Sequence, residues 1–231
     1  MDEKQWYKYY NRFPGWIDEE AVHSGWKIQQ FWQKQKIQEI KKRISKGKTL
    51  DVGCGSGVLC REINKNMVVG MDISRNAIKY CNSKKTNSEF YIVASAFHLP
   101  FKKNAFENVV CSEVIEHVSS PEKVLDEMSF CLAKGGRQII TTPNYGISLW
   151  IFYEFVWDLF GKGRNYRFQH ISKFSIKKLK QAVPNIKEAY SIFILSPLFS
   201  FFSEKLAKKI MEFEHRTMKN NGCLIIAESQ K

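Results

Sequence analysis

Short apolar runs alternate with amphipathic segments through the middle of the chain. The apolar runs predict buried β-strands at Thr49–Val52, Val68–Met71, Phe90–Ala94, Asn108–Ser112 and Arg137–Thr142. The segments between them predict helices near Val58–Asn64, Ser74–Ser83 and Pro121–Ala133. Because strands that alternate with helices form right-handed βαβ crossovers, the pattern indicates an α/β fold with a mainly parallel sheet covered on both faces.

The segments on either side of this body complete the predicted fold. Apolar residues recur at helical spacing from Lys27 to Lys46, and we expect Gly47 to cap that helix. We likewise expect the pair Gly135-Gly136 to end the helix at Pro121–Ala133. Two more runs predict closing strands, at Ala189–Leu195 and Cys223–Ala227. With no repeat or low-complexity linker, the pattern favours one domain over 1–231, made of an aromatic lead and helix (1–46), a core (47–145), and inserts with closing strands (146–231).

The charge of the chain is strongly basic. Its 231 residues include 36 Lys and Arg against 23 Asp and Glu, a formal net charge of +13. That excess makes nucleic acid, an anionic membrane surface or an acidic substrate candidate partners, whereas 44% hydrophobic residues exclude an intrinsically disordered chain. The positive residues gather in Lys27–Lys48 and Lys162–Lys187 rather than between Asp51 and Glu116, so the excess charge belongs to the flanking segments.

The cysteines and the hydropathy of the chain indicate the cellular compartment in which the protein is expected. The six cysteines are scattered, with no C-x-x-C pair and no Cys/His cluster at zinc spacing, so we predict neither a disulfide scaffold nor a metal site. The first residues lack the order of a signal peptide, and no run approaches the roughly 18 apolar residues of a spanning helix. These features predict a cytoplasmic protein, with association with a membrane surface as an open alternative.

A glycine-rich loop follows the first predicted strand and opens a helix. Gly53, Gly55 and Gly57 permit a tight turn and close approach of a ligand to the backbone, and Asp51 lies just before them. Asp72 ends the next strand, at the spacing where a carboxylate grips a ribose diol. The third glycine comes too early for the dinucleotide fingerprint, so an adenosine ligand with a positively charged head and no pyrophosphate fits better than NAD.

Five ordered segments resemble the successive motifs of class I S-adenosylmethionine-dependent methyltransferases, namely residues 49–57, 69–74, 99–101, 111–118 and 132–137. Residues 113–118 with 142–144 are similar to the subgroup that includes ubiquinone-biosynthesis O-methyltransferases and other small-molecule methylating enzymes. The resemblance implies a Rossmann-like, seven-stranded, mostly parallel sheet whose last strand is antiparallel, with helices on both faces. It also implies S-adenosylmethionine as cofactor and S-adenosylhomocysteine as product.

The resemblance assigns cofactor-binding roles along the loops. The backbone at Gly53, Gly55 and Gly57 would run beside the methionine half of the cofactor. Cys54 would pack in the same loop, and Asp51 would support the ammonium group. Further cofactor positions follow the next strands.

Asp72 would accept both ribose hydroxyls, and Ile73 would pack on the adenine face. Ser95 and Ala96 lie where the family presents the adenine edge, although the usual residue at the first position is Asp. Ser112 and Glu113 would border the methionine end and the acceptor mouth.

Three residues are candidates for the catalytic step. Glu116 and His117 fit a general base for an acceptor hydroxyl, or else begin the next loop with His117 hydrogen-bonded and inert. His170 resembles a histidine that precedes the final helix in similar enzymes, and it either reaches the acceptor pocket or caps that helix.

Acceptor choice is expected to come from three aromatic segments outside the core. They are the lead at 1–32, expected to fold over the cofactor as a lid, and the inserts Tyr145–Phe168 and Pro197–Met218. Aromatics beside lysines suit a greasy substrate or an anionic membrane surface, or else the segments simply pack on the sheet edge. We therefore predict an enzyme that methylates a small-molecule or lipid-like acceptor at a hydroxyl. A tRNA or RNA methyltransferase using the basic surface is the alternative, ranked lower because the chain shows no appended RNA-binding module.

Overall fold

Seven strands form one sheet in the computed structural model, which describes residues 3–12, 19, 22–63, 67–86, 88–160 and 169–231, with the backbone alone at 3 and 156–160. The strands are β1 (Thr49–Val52), β2 (Val68–Asp72), β3 (Glu89–Val93), β4 (Phe106–Ser112), β5 (Leu132–Pro143), β6 (Ile186–Ile192) and β7 (Leu224–Gln230). Their order is β3-β2-β1-β4-β5-β7-β6, and β7 runs antiparallel to both of its neighbours. The predicted mostly parallel sheet with an antiparallel last strand is confirmed.

Helices cover both faces of the sheet. They are α1 (Glu3–Tyr10), α2 (Lys27–Arg43), α3 (Val58–Ile63), α4 (Arg75–Lys84), α5 (Pro121–Cys131), α6 (Ser148–Phe160), α7 (Ile176–Ala182), α8 (Ser196–Phe199) and α9 (Glu204–Thr217), with a 3₁₀ turn at Ile115–His117. Strand side chains alternate between the faces, so that Val109 packs in one apolar core with α5 and α7 while Val110 packs in another with α2, α3 and α4. Both faces of the strands are therefore apolar, as the continuous hydrophobic runs predicted.

Several element boundaries differ from the predicted ones. The first long helix ends at Arg43 and its cap residue is Ile44, so Gly47 (φ +131°) belongs to the turn into β1. α5 ends at Cys131, and the Gly135-Gly136 pair lies inside β5, at a register shift between the Phe106–Leu132 and Asn108–Arg137 pairs. The helix after the glycine loop ends at Ile63, and Asn64 lies outside the described residues. β6 lies about three residues nearer the amino end of the chain than predicted. β7 extends a few residues further toward the carboxyl end than predicted.

The aromatic inserts contribute a third apolar core at the β6–β7 edge. Trp32 of α2 lies 4.2 Å from Phe193 and 6.1 Å from Trp150 between ring centroids. Trp150 and Tyr153 of α6 are buried, whereas Phe152 and Phe155 on the same helix are exposed. Part of each insert thus packs on the sheet edge; residues 13–18, 20–21 and 161–168 of the lead and first insert lie outside the described residues. Among the described helices, none is both long and apolar enough to cross a bilayer.

The chain order reverses at β1, which pairs with β2 on one side and β4 on the other. In open α/β sheets a crevice forms at this point, beyond the carboxyl ends of the strands. The loops after β1, β2 and β4 meet there, and they contain most of the candidate site residues.

Candidate active site

A cavity of about 370 Å³ lies at the carboxyl ends of β1, β2 and β4. Its wall includes the predicted residues Asp51, Gly53, Cys54, Gly55, Asp72, Ile73, Ser95, Ala96, Ser112, Glu113, Glu116, His117 and His170. The predicted set therefore converges on one site, although its members come from five separate loops. Gly57 is the exception and does not line the cavity.

The glycine loop forms the floor of the cavity through its backbone. Gly53 has φ +78°, and a Cβ built on it would lie 2.3 Å from Val114 Cγ2. A side chain at this position is therefore excluded both by conformation and by space. Gly57 also has a positive φ, but its added Cβ would meet Tyr91 Oη at 2.8 Å and Cys81 Sγ at 2.9 Å. Gly57 therefore packs closely behind the loop, and its predicted part in cofactor binding stays a prediction.

The Asp72 carboxylate is held at the end of β2 by two backbone donors. Gly55 N donates to Oδ2 at 2.9 Å, and Ser74 N donates to Oδ1 at 2.8 Å. These two bonds fix the orientation of the carboxylate where it lines the cavity. The geometry suits a ligand that presents two hydroxyls to one side of the cavity.

Asp51 is a buried acid at the centre of the site. Burial raises the pKa of its carboxyl to about 7, with Asp72 adding to the shift and a hydrogen bond from Cys60 and the charge of Lys36 opposing it. The Cys60 thiol lies 3.3 Å from Asp51 Oδ2. A carboxyl with this pKa becomes ionised most readily beside a cation, so the position favours a positively charged ligand group.

Two serines near the cavity are engaged in local hydrogen bonds. Ser95 Oγ accepts from Phe97 N at 3.2 Å, and Ser112 Oγ lies 2.9 Å from Thr141 Oγ1. Ser95 therefore stabilises the turn after β3 while it lines the cavity, and its hydroxyl is placed at the edge where the family more often has a carboxylate.

Glu113 at the end of β4 pairs with Lys36 of α2 across the cavity. The residue has φ +54°, a left-handed conformation that costs a non-glycine residue about 1–2 kcal/mol. Glu113 N donates to Thr141 O at 2.9 Å, and this bond helps to hold the turned backbone. Lys36 was not among the predicted site residues because α2 lies far from the motifs in sequence.

Glu116 and His117 occupy the 3₁₀ turn that follows β4. Glu116 is fully buried; its Oε2 accepts from Thr142 Oγ1 at 3.0 Å, and its Oε1 has no hydrogen-bond partner. Burial raises the Glu116 pKa to about 7, opposed mainly by the charge of His170. Burial also lowers the pKa of His117 to about 3, so the imidazole is neutral.

His117 and His170 face each other with ring centroids 4.9 Å apart. His117 Nδ1 lies 3.1 Å from Gln169 O, so this nitrogen carries the proton and donates to the carbonyl. His170 Nδ1 lies 2.7 Å from Tyr145 Oη and 3.1 Å from Glu154 Oε1. His170 therefore lines the cavity, ahead of α7, whose amino end is capped by Ser175 instead.

Aromatic side chains from the first two helices cover this end of the cavity. Trp6 of α1 is buried and packs edge-on against His117 at 6.1 Å, and Tyr10 lies 6.2 Å from the same ring. Trp32 of α2 also lines the cavity. The sequence placed the aromatic lead near the site, and these contacts are consistent with its predicted position over the ligand.

A protein-family model described as a methyltransferase domain matches residues 50–140, the segment that builds the loops of this cavity. An uncharacterised protein of Methanocaldococcus jannaschii is 30% identical over 191 residues, which are 79% of this chain and 77% of that protein. The ubiquinone biosynthesis O-methyltransferase of Coxiella burnetii is 27% identical over 139 residues, or 55% of this chain and 59% of that enzyme. The chain spans about half to three fifths of the length of several of the curated relatives that it matches.

A solved structure of an S-adenosylmethionine-dependent methyltransferase from Thermotoga maritima superposes over 97% of this chain and 99% of its own. The TM-score is 0.72 and the sequence identity is 18%. At that identity the likeness concerns the fold, and it extends to the helices and strands outside residues 50–140.

Proposed function

The chain belongs to the S-adenosylmethionine-dependent methyltransferases, and from that premise we propose that it methylates a small-molecule or lipid-like acceptor at a hydroxyl. The observation that carries the proposal is one cavity whose wall includes Asp51 and Asp72 together with Glu116, His117 and His170. Trp6 and Tyr10 pack against His117, and these apolar surroundings suit a compact apolar acceptor better than a polynucleotide.

The residues present fit the cofactor. The Asp72 carboxylate suits the two ribose hydroxyls, and the buried Asp51 suits a cationic amino-acid head. Gly53 lines the cavity, so a ligand can approach its backbone, while the space on its Cβ side is taken by Val114. When bound, S-adenosylmethionine supplies a methyl group on a positively charged sulfur, and this sulfur is also the leaving group.

The chain's own contribution is positioning, exclusion of water and proton transfer. Trp6, Tyr10 and Trp32 line the cavity and exclude water from it. His117 holds its proton on Nδ1, so Nε2 is the nitrogen able to accept a proton from an acceptor hydroxyl.

One group of relatives supports a hydroxyl-bearing apolar acceptor, while another relative is named as a ubiquinone/menaquinone biosynthesis C-methyltransferase. The first group includes an enzyme named as a ubiquinone biosynthesis O-methyltransferase, which is similar to this chain over the motif-bearing half. We propose by analogy that the acceptor is a hydroxylated ring or a comparable small molecule with an apolar tail.

Transfer of a labelled methyl group tests this proposal directly. The protein is incubated with methyl-labelled S-adenosylmethionine and, in separate reactions, catechols with and without an apolar tail, an aliphatic amine, a thiol and total tRNA. Label in a hydroxyl acceptor, with a preference for the tailed compound, supports the proposal. Label that enters tRNA alone would instead favour the alternative function, an RNA methyltransferase.

The proposed lipid-like acceptor agrees with an exposed apolar patch in the turn before α9 and on α9, which we propose contacts an anionic membrane surface. Phe201 and Phe202 are 61% and 81% exposed, and Leu206 and Phe213 lie two turns apart on one face of α9. Exposed lysines flank these side chains at positions Lys205, Lys208 and Lys209. Aromatics with lysines on a short amphipathic helix are typical of interfacial segments.

Vesicle sedimentation tests the membrane contact. The protein should sediment with vesicles containing phosphatidylglycerol and not with pure phosphatidylcholine, and replacement of both Phe201 and Phe202 by Ser should abolish sedimentation. Phe90→Ser is the matched control, because Phe90 is also exposed but lies on β3 at the other edge of the sheet. Equal sedimentation of the double variant would refute the contact.

A further inference from the structure

The structure brings Glu116, His117 and His170 together as a group of potential metal ligands within the described part of the chain. Each residue offers one ligand atom, and the three atoms lie within 4.8 Å of one another. Glu116 and His117 come from the turn after β4, whereas His170 arrives from the segment before α7. The absence of a local Cys/His spacing in the sequence therefore did not exclude a ligand set.

Both histidines have the partners that metal-binding histidines use. His117 Nδ1 donates to the backbone carbonyl of Gln169, and His170 Nδ1 contacts the Glu154 carboxylate at 3.1 Å. A carbonyl or carboxylate on one ring nitrogen orients the ring and directs the other nitrogen toward a cation. Nε2 is accordingly the nitrogen that each ring would offer to a metal ion.

Glu116 supplies an independent indication of a ligand. The side chain is 0% exposed, its Oε2 accepts from Thr142, and its Oε1 is a buried oxygen without a hydrogen-bond partner. Buried carboxylate oxygens are normally satisfied, because an unpaired one costs desolvation energy. A cation between Glu116 and the two imidazoles would satisfy this oxygen.

We propose that Glu116, His117 and His170 bind a divalent transition-metal ion, which in turn holds an oxygen of the acceptor. Two imidazole nitrogens and one carboxylate oxygen suit Zn²⁺, Mn²⁺, Fe²⁺ or Co²⁺, whereas Mg²⁺ and Ca²⁺ prefer oxygen ligands throughout. Three protein ligands leave coordination positions open, as in catalytic rather than structural metal sites.

The site deepens the proposed function and rests on it for the identity of the acceptor. A hydroxyl bound to the ion loses its proton more readily: the O–H bond breaks, the electron pair stays on oxygen, and the proton passes to bulk water. With an ion bound, His117 is a ligand, and a separate general base is not needed. The ion would also orient the oxygen within the aromatic-covered end of the cavity.

Metal titration of chelator-treated protein tests the site without reference to activity. Calorimetry with ZnCl₂ should show one ion per chain, and His117→Ala or His170→Ala should weaken it by more than about 100-fold. Glu154→Gln, which alters the positioning of His170, should weaken it by about 10–100-fold. His98→Ala is the matched control, since His98 is exposed and does not line the cavity.

Cobalt spectroscopy on the unaltered protein keeps the test independent of any variant that misfolds. Visible bands of nitrogen and oxygen ligation, without thiolate charge-transfer bands, support the site. No bands, thiolate bands from the buried cysteines, or equal weakening by His98→Ala would overturn it. Thermal shifts with S-adenosylhomocysteine, measured on the same samples, report on the proposed function separately: a shift without metal binding refutes only the metal site.

Discussion

Lys36 of α2 forms an ion pair with Glu113 at the end of β4, a residue 77 positions further along the chain. Both side chains are largely shielded from solvent, and the pair joins the first long helix to the loop after β4, which lines the cavity. The pair therefore links the fold to the site.

Removal of one partner should destabilise the protein. We expect Lys36→Met to lower the free energy of unfolding by about 1.5–3 kcal/mol, because Glu113 is left without its charged hydrogen bond. Urea unfolding measures the change, and a double-mutant cycle with Glu113→Gln should give a coupling of at least about 0.5 kcal/mol. Lys41→Met is the control: its exposed pair with Glu62 should contribute no more than about 1 kcal/mol. Equal effects of the two lysine variants would contradict the assigned burial.

The glycine loop should reject a side chain at Gly53. Gly53→Ala adds a methyl group 2.3 Å from Val114 at φ +78°, so we expect the left-handed cost of about 1–2 kcal/mol plus about 1–3 kcal/mol of overpacking. Gly135→Ala has a similar φ of +74° but open space, with Gln230 Nε2 4.0 Å away, and should show the first cost alone. Chemical denaturation compares the two variants. A smaller loss at Gly53 than at Gly135 would be inconsistent with this packing.

Asp72 should contribute strongly to cofactor affinity. We expect Asp72→Ala to weaken S-adenosylhomocysteine binding by about 1.5–3 kcal/mol, the range for hydrogen bonds to a charged group. Asp72→Asn keeps one oxygen acceptor and should lose less. Calorimetry gives the dissociation constants, and Asp126→Ala removes an exposed acid from α5 as the charge control. Unchanged affinity in Asp72→Ala would reject the ribose-binding role.

Cofactor binding should strengthen as pH rises through 7. The pKa of Asp51 is raised to about 7 by burial, so at pH 6 only about one tenth of the carboxyl is ionised. A cationic ligand favours the ionised form, and the apparent affinity should therefore fall up to about tenfold between pH 8 and pH 6. In Asp51→Asn this part of the pH dependence should disappear.

In the ligand-free protein, Asp51 should make the free energy of unfolding decrease as pH rises, the opposite direction to its effect on cofactor affinity. The unfolded chain ionises Asp51 near its ordinary pKa of about 4, whereas the folded protein holds the proton up to about 7. The contribution of Asp51 to the free energy of unfolding should therefore decrease from pH 4 to pH 7 and then stay constant, relative to Asp51→Asn. Parallel stability curves for the two proteins would show that Asp51 is not buried as described.

The sequence predicted those parts of the fold that depend on residues close together in the chain. The strand–helix alternation, the glycine loop and the acidic strand ends each lie within a few residues, and their positions in the sheet agree with the predicted order of elements. Element ends were less accurate: the helix before β5 ends at Cys131, and β5 begins at Leu132, which pairs with Phe106, so that Gly135-Gly136 falls at a register shift in the β4–β5 ladder instead of ending the helix.

The sequence by itself determined the α/β class and the loops that meet at the cavity, since hydrophobic period and glycine spacing are properties of neighbouring residues, and the resemblance of its motifs indicated the family. Tertiary structure alone decided that Gly57 packs against Tyr91 and Cys81, that Lys36 reaches Glu113, and that His170 meets Glu116 and His117. These contacts join residues far apart in the chain, and their geometry depends on how the helices pack on the two faces of the sheet. No local pattern encodes that packing, because it results from the burial of all the apolar faces together.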